Sequence, residues 1–378
     1  MAPHRQNVLG LTRAELSDFM ASLGEPRYRG AQLFRWLYQR RAASFGEMTD
    51  LTRGLRAALA ERADIRTPAT AARRVSPADG TTKFLFALDD GLQIETVLIP
   101  PSSAFRGAEA RAEEEQKRLT LCVSTQVGCP LDCAFCATAT MGFRRNLTPG
   151  EIVGQLLQAE REEGREVTNV VFMGMGEPLM NYENVMAAAE LFSAGLGIAA
   201  RRITVSTAGR AEHIRRMGDE ARRIKLAVSL HSAVEETRRS LMPVTRRYPL
   251  EELLGAVEYY YRRTKQRVTY EQIFFAGIND TDAEVRALVR VARRVPCKIN
   301  VIPYHATGFA APGGSRAALR PSPRTGELVE RLRGEKLSVF LRSSAGEDIE
   351  AACGQLAVTG QQRNRTVHAP RRGAAAAI

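Results

Sequence analysis

Residues 119–136 read LTLCVSTQVGCPLDCAFC, an apolar run of strand length that opens into a loop carrying three cysteines. The run is rich in aliphatic and β-branched residues and too short for a buried helix, so it predicts a strand covered on both faces. A helix start follows. Thr148 stands as the cap, Pro149 occupies the first helical position and Glu151 closes a capping box. The same order then recurs. Apolar runs VTNVVFM (167–173), RITVST (202–207), KLAVSL (225–230), VTYEQIFF (268–275) and CKINVIP (297–303) come next. Between the strand runs lie helical stretches EIVGQLLQAERE (151–162), ENVMAAAELFSA (183–194), LEELLGAVEYYYRR (250–263) and AEVRALVRVARRV (283–295). Strands alternating with helices imply right-handed βαβ units on a parallel sheet. The six strand runs, counted from 119, make a partial (β/α)6 barrel and fall short of a closed eight-fold one. KLSVFLRSS (336–344) predicts one strand more.

Upstream, residues 1–65 predict a small helical module. Thr12 and Glu15 give a capping-box pattern, a second amphipathic run follows Gly30, and a third begins near Thr52. Trp36, in the second run, is expected in the core. Residues 66–119 hold an expected β-hairpin turning at Asp90-Gly91, then a polar segment (102–118) read as an exposed loop or frayed helix. The barrel core is assigned to 120–358. Residues 359–378 form a basic tail expected to be disordered.

The chain has 378 residues, 44% of them hydrophobic and 25% charged, a balance that excludes an unfolded polyelectrolyte. It contains no apolar stretch long enough for a membrane span and no secretory leader, so a cytoplasmic protein without membrane attachment is expected. Lys and Arg outnumber acids 54 to 42, a formal charge of +12 that favours a polyanionic partner, or else only a solvated basic surface.

Six cysteines are too few for a disulfide scaffold in a chain of this length. Cys129, Cys133 and Cys136 are spaced so that one loop could ligate three irons of a [4Fe–4S] cube, leaving the fourth iron free. A structural zinc site is the alternative, and it would need a fourth ligand such as Cys122. Phe135 either shields such a cluster or packs the loop. Gly174, Gly176 and Glu177, in VVFMGMGEP, could be a plain turn; equally, the glycines let carbonyls approach an ammonium group that Glu177 would attract.

These motifs together resemble the radical S-adenosylmethionine (SAM) superfamily. LCVSTQVGCPLDCAFC, FMGMGEPLMNYENV, ITVSTAG, LAVSLHS, LMPVTRRYPL and EDIEAACGQLA are similar, more narrowly, to the RlmN/Cfr family of RNA methyltransferases. The resemblance spans about residues 7 to 358. It implies one [4Fe–4S] cluster on Cys129, Cys133 and Cys136, two SAM molecules per turnover, and cofactor contacts from Gly176, Glu177, Ser206, Ser229, Leu230, His231 and His305. His305 stands where the family places Asn. The resemblance further implies methylation of adenine C2 in 23S ribosomal RNA and in transfer RNA. Cys353 would carry the methyl group as S-methylcysteine, Cys122 would release the product through a transient disulfide, and Glu95 would act as proton acceptor. A flavodoxin-type electron donor and a monomeric state are also implied.

Without the resemblance, Glu95 reads as an edge-strand carboxylate in solvent, Cys353 as a small buried hydrophobe, and Ser206 and Ser229 as turn formers. Cys297 is expected to pack. RNA contact is expected from arginines in RRITVSTAGRAEHIRR (201–216) and ETRRSLMPVTRR (236–247) and from the N-terminal module. Two other outcomes stay open: a Cfr-like enzyme acting at adenine C8, and a non-catalytic zinc-containing RNA binder.

Overall fold

The computed structural model describes residues 5–101, 118–305 and 319–358. The loop expected at 102–118 lies outside them but for Arg118, and the basic tail lies outside them entirely.

A short parallel pair, β1 (Gln6–Asn7) and β2 (Ala63–Asp64), brackets α1 (Arg13–Ser22), α2 (Arg29–Phe34) and α3 (Arg53–Arg62). Thr12 and Glu15 form the reciprocal box at α1, and Thr52 caps α3 by accepting from the Leu55 amide. Leu16, Met20, Leu33, Leu37 and Leu59 are buried. Trp36 is buried with them, its indole N–H donating to Asp50. It is core, as expected. This module meets the barrel backbone to backbone: a Cβ on Gly10 would lie 2.2 Å from the Gly150 nitrogen. No side chain fits there.

The chain continues through β3 (Ala69–Val75), β4 (Thr82–Ala87), β5 (Gln93–Ile99), β6 (Thr120–Cys122) and a small ribbon of β7 (Gln126–Gly128) and β8 (Phe143–Asn146). Then follow α4 (Pro149–Glu163), β9 (Asn169–Phe172), α5 (Tyr182–Glu190), β10 (Ile203–Thr207), α6 (Ala211–Glu220) and β11 (Lys225–Ser229). The last part is α7 (Glu235–Leu241), α8 (Leu250–Thr264), β12 (Val268–Gln272), α9 (Asp282–Ala292), β13 (Cys297–Val301), α10 (Thr325–Gly334) and β14 (Val339–Leu341).

One sheet takes the order β14-β13-β12-β11-β10-β9-β6-β5-β4-β3. From β6 through β14 the pairing is parallel, the partial barrel expected; from β3 to β6 it is antiparallel. The hairpin turns at Gly91 (φ +79) and joins the barrel through β5, with Val97 opposite Cys122. Strand β3 is not anticipated by its sequence. ATAARRV shows no alternation, because it is an edge strand with nearly every residue exposed.

α4 starts at the Thr148–Glu151 capping box and ends on Gly164 in the left-handed region. Parallel strands send all their C-terminal loops to one end of the sheet, where sites of such folds form. Among the described residues, no helix is long and apolar enough to cross a membrane.

Candidate active site at the strand ends

The loop after β6 brings Cys129, Cys133 and Cys136 to the wall of a cleft of about 910 Å³, counting its open mouth. Backbone contacts hold the loop: Cys129 N–H donates to Gly142 O (3.1 Å) and Ala134 N–H to Leu241 O (2.8 Å). Phe135 packs its ring against His231 and Phe275. Burial, then the neighbouring thiols, push Cys129 and Cys133 well up, so both stay protonated until a cation takes the proton's place.

Across the cleft, Gly176 has φ +99, and a Cβ there would lie 2.6 Å from the Gln126 side chain. Only glycine suits this turn. Glu177 is buried, and its carboxylate accepts from the Leu179 amide (3.0 Å), the Thr207 hydroxyl (2.7 Å) and the Ala208 amide (2.8 Å). Burial still raises its pKa. The residue that could attract an ammonium thus also knits the ends of β9 and β10 together. Ser206, Ser229 and His231 line the same cleft, whereas Leu230 points into the core, fully buried. Burial, then Arg238, push the His231 ring down to about 3, so it is neutral, and its Nδ1 has no partner. Glu271, near the end of β12, also lines the cleft, and its buried Oε2 accepts no hydrogen bond.

A second cavity of about 490 Å³ adjoins the first, lined by Cys122, Met173, Ile302, His305, Arg342 and Cys353 among others. Cys353 lines both. Its accessible surface opens into these cavities, yet enough protein surrounds it to push its thiol up. Burial pushes Cys122 up to about 12; Cys353 adds to this and Arg342 opposes it. Arg342 approaches Glu271 Oε2 at 3.8 Å, linking the two cavities electrostatically. His305 does not line the cofactor-sized cleft. It sits in the second cavity, against Ser344 Oγ (2.6 Å) and Glu347 (2.7 Å).

Glu95 corrects the solvent-carboxylate reading. It is 6% exposed in the middle of β5, between β4 and β6. Its carboxylate pairs with Lys83 (3.2 Å) and accepts from the Ala357 amide (2.8 Å), in the segment that carries Cys353. Burial raises its pKa against the opposing pull of Lys83. Val97 and Ile99, two and four residues along the strand and so on the same face, line the second cavity.

Residues 6–65 match the ribosomal RNA large subunit methyltransferase N-terminal domain, and residues 123–289 match the radical SAM superfamily. A probable dual-specificity RNA methyltransferase RlmN of Flavobacterium psychrophilum is 42% identical over 94% of this chain and 99% of its own. This chain belongs to the RlmN family. The dual-specificity RNA methyltransferase RlmN of Solidesulfovibrio magneticus is 43% identical over 93% of this chain and 96% of its own. The crystal structure of a radical SAM methyltransferase from Sphaerobacter thermophilus superposes with a TM-score of 0.81 at 41% identity, covering 93% of this chain and 99% of that one.

Membership in the RlmN family and the radical SAM superfamily brings a [4Fe–4S] cluster and SAM, and the cleft fits both. Three thiols face it, and the buried Nδ1 of the lining residue His231 has no hydrogen-bond partner. Among the described residues, no group of three His, Cys, Asp or Glu converges tightly enough for a single ion. Sequence reading missed Glu271 and Arg342. The signal for Glu271 was a carboxylate inside the strand run VTYEQIFF. Arg342 carried none, because its neighbours come from distant strands.

Proposed function

We propose that this chain methylates C2 of an adenosine in 23S ribosomal RNA, and of an adenosine in transfer RNA, by way of a covalent RNA–protein intermediate. The observation that carries the reading is the position of Cys353, on the boundary between the cofactor-sized cleft and the cavity of Cys122. A carrier that must meet a cofactor on one side and RNA on the other needs such a position.

When bound, the cluster and SAM supply the methyl group and a route to carbon-centred radical chemistry. Cys129, Cys133 and Cys136 hold the cluster, while Gly176, Glu177, Ser206, Ser229 and His231 shape the SAM site, one molecule serving as methyl donor and a second for the radical step. His305 belongs with the RNA-side cavity in this reading. The sulfur of Cys353 accepts the methyl group. The radical chemistry that bound SAM would supply removes one hydrogen atom from that methyl, and the resulting methylene bonds to C2, an electron-poor carbon that cannot attack a sulfonium itself. The adduct then gives up one electron to the cluster that would be held there. Glu95 takes the C2 proton; its raised pKa makes it a better acceptor than a solvated carboxylate. Cys122 then attacks the sulfur of Cys353, and the bond from that sulfur to the methylene carbon breaks. The carbon leaves with a proton as the product methyl, and a Cys122–Cys353 disulfide remains for an external thiol to reduce. A low-potential flavoprotein of the flavodoxin type is the expected electron source.

Mass spectrometry of nucleosides from ribosomal and transfer RNA, incubated with the reconstituted enzyme, tests the proposal. It expects 2-methyladenosine in both RNAs. A methyl group at C8, or none, sinks it.

A further inference from the structure

Arg238 lies in the run ETRRSLMPVTRR, yet it does not face RNA: it is fully buried, on α7. Its guanidinium donates to the Thr245 hydroxyl (2.6 Å) and to the carbonyls of Ala208 (2.6 Å) and Ser229 (3.2 Å). Ala208 follows β10 and Ser229 ends β11, both at the wall of the cofactor cleft. Its Nε has no partner, and among the described residues no carboxylate pairs with it. Glu235, one turn earlier on the helix, acts on it only through space, its carboxylate being engaged by Arg239 and the Leu250 amide.

A buried guanidinium bonded only to neutral groups is costly, and such a charge normally has an anion nearby. The neighbouring chemistry supplies one. The end of α7 holds the cysteine loop, with Ala134 N–H donating to Leu241 O, and Cys133 packs with Leu241 and Met242. The charge of Arg238 acts on Cys133 across that contact. Three thiolates around a [4Fe–4S]²⁺ core carry a net charge of about −1, and one added electron makes it about −2.

We propose that Arg238 is the built-in counter-charge of the iron–sulfur centre, favouring the reduced, more negative form. The inference rests on Cys129, Cys133 and Cys136 being the cluster ligands. The electron itself comes from an external one-electron donor, dithionite in the test below.

The test is a redox titration of the anaerobically reconstituted full-length protein, followed by electron paramagnetic resonance of the reduced cluster. Arg238→Gln keeps hydrogen-bonding groups but loses the charge. Its reduction equilibrium should fall at least about tenfold, or ~59 mV to more negative potential. Arg238→Lys keeps the charge with poorer hydrogen bonding and should stay within about threefold of wild type, a factor below that tenfold step. Arg238→Gln at wild-type potential overturns the proposal, because the residue is then only a clamp on two loops. Arg238→Lys shifted as far as Arg238→Gln overturns it equally. If Arg238→Gln holds no cluster, Arg238→Lys decides: four irons reduced at the wild-type potential support the counter-charge, and failure refutes it. Wild-type protein that binds no iron refutes the ligand assignment, and this inference with it.

Discussion

At the residue scale, His231 has a consequence measurable in the protein without its cofactors. The ring is buried, sits at φ +55 and is pushed down to about 3. An unfolded histidine takes its proton near pH 6.5, while the folded ring refuses it until about pH 3. The folded pKa is depressed, so the associated stability is present above pH 6.5 and lost as pH falls toward 3. Between pH 6.5 and 5 this single group should remove about 2 kcal/mol. His231→Asn tolerates the left-handed backbone and has no proton to take. Urea unfolding of the apo protein at both pH values should therefore show a loss smaller by that amount in the variant. Equal losses in the two proteins would mean that His231 already carries its charge in the fold.

At the scale of elements, the turn after β9 depends on a single glycine. Gly176→Ala forces a Cβ to within 2.6 Å of Gln126 at a φ that alanine resists. Strain and overpacking together should cost about 1–3 kcal/mol. The damage should be local, because Glu177 is the next residue and it ties the ends of β9 and β10 together. Calorimetric SAM binding to the reconstituted variant should weaken at least about tenfold, roughly the affinity that 1.4 kcal/mol represents. Unchanged binding would show that the turn does not shape the cofactor site. The elements themselves were largely legible in the sequence. Where a strand is buried on both faces, as in VTNVVFM or KLAVSL, the apolar run marks it, and where Thr148 and Glu151 cap a helix the start is fixed to the residue. The failure at β3 has the opposite cause: an exposed edge strand buries no face, so no period is written into ATAARRV. In the site, cysteines and glycines stood out by spacing. Arg238, Arg342 and Glu271 did not, because their meaning lies in contacts between strand ends far apart in sequence. Glu95 was misjudged without the family resemblance for the same reason, since nothing local says that the segment at Ala357 covers it.

Across the whole molecule, charge and topology make separate demands on RNA. The +12 charge must act through phosphates, even with many arginines engaged, such as Arg216 with Glu183 and Arg294 with Glu251. Affinity for an RNA fragment, measured by fluorescence anisotropy, should fall at least about tenfold between 50 and 200 mM salt. A flat response would remove electrostatics from binding. Topology makes the sharper demand. Cys122 ends β6 near the middle of the sheet, and Cys353 lies past its final strand, yet one cavity receives both. Only Cys353 also reaches the cofactor cleft. The two thiols should therefore fail differently. Cys353→Ala removes the only one that can meet both cofactor and RNA, so neither methylated protein nor RNA adduct should form. Cys122→Ala leaves the carrier in place but removes the sulfur that would release it, so RNA should remain attached at Cys353 as a nuclease-sensitive mass increase. Glu95→Gln keeps the hydrogen-bonding shape beside Lys83 and Ala357 but cannot take the C2 proton, and it should trap the same adduct. Intact-protein mass spectrometry before and after nuclease reads all three. If Cys122→Ala turns over freely with no attached RNA, the cavity joining the two sulfurs is packing, and the covalent route is wrong even if the cluster is present.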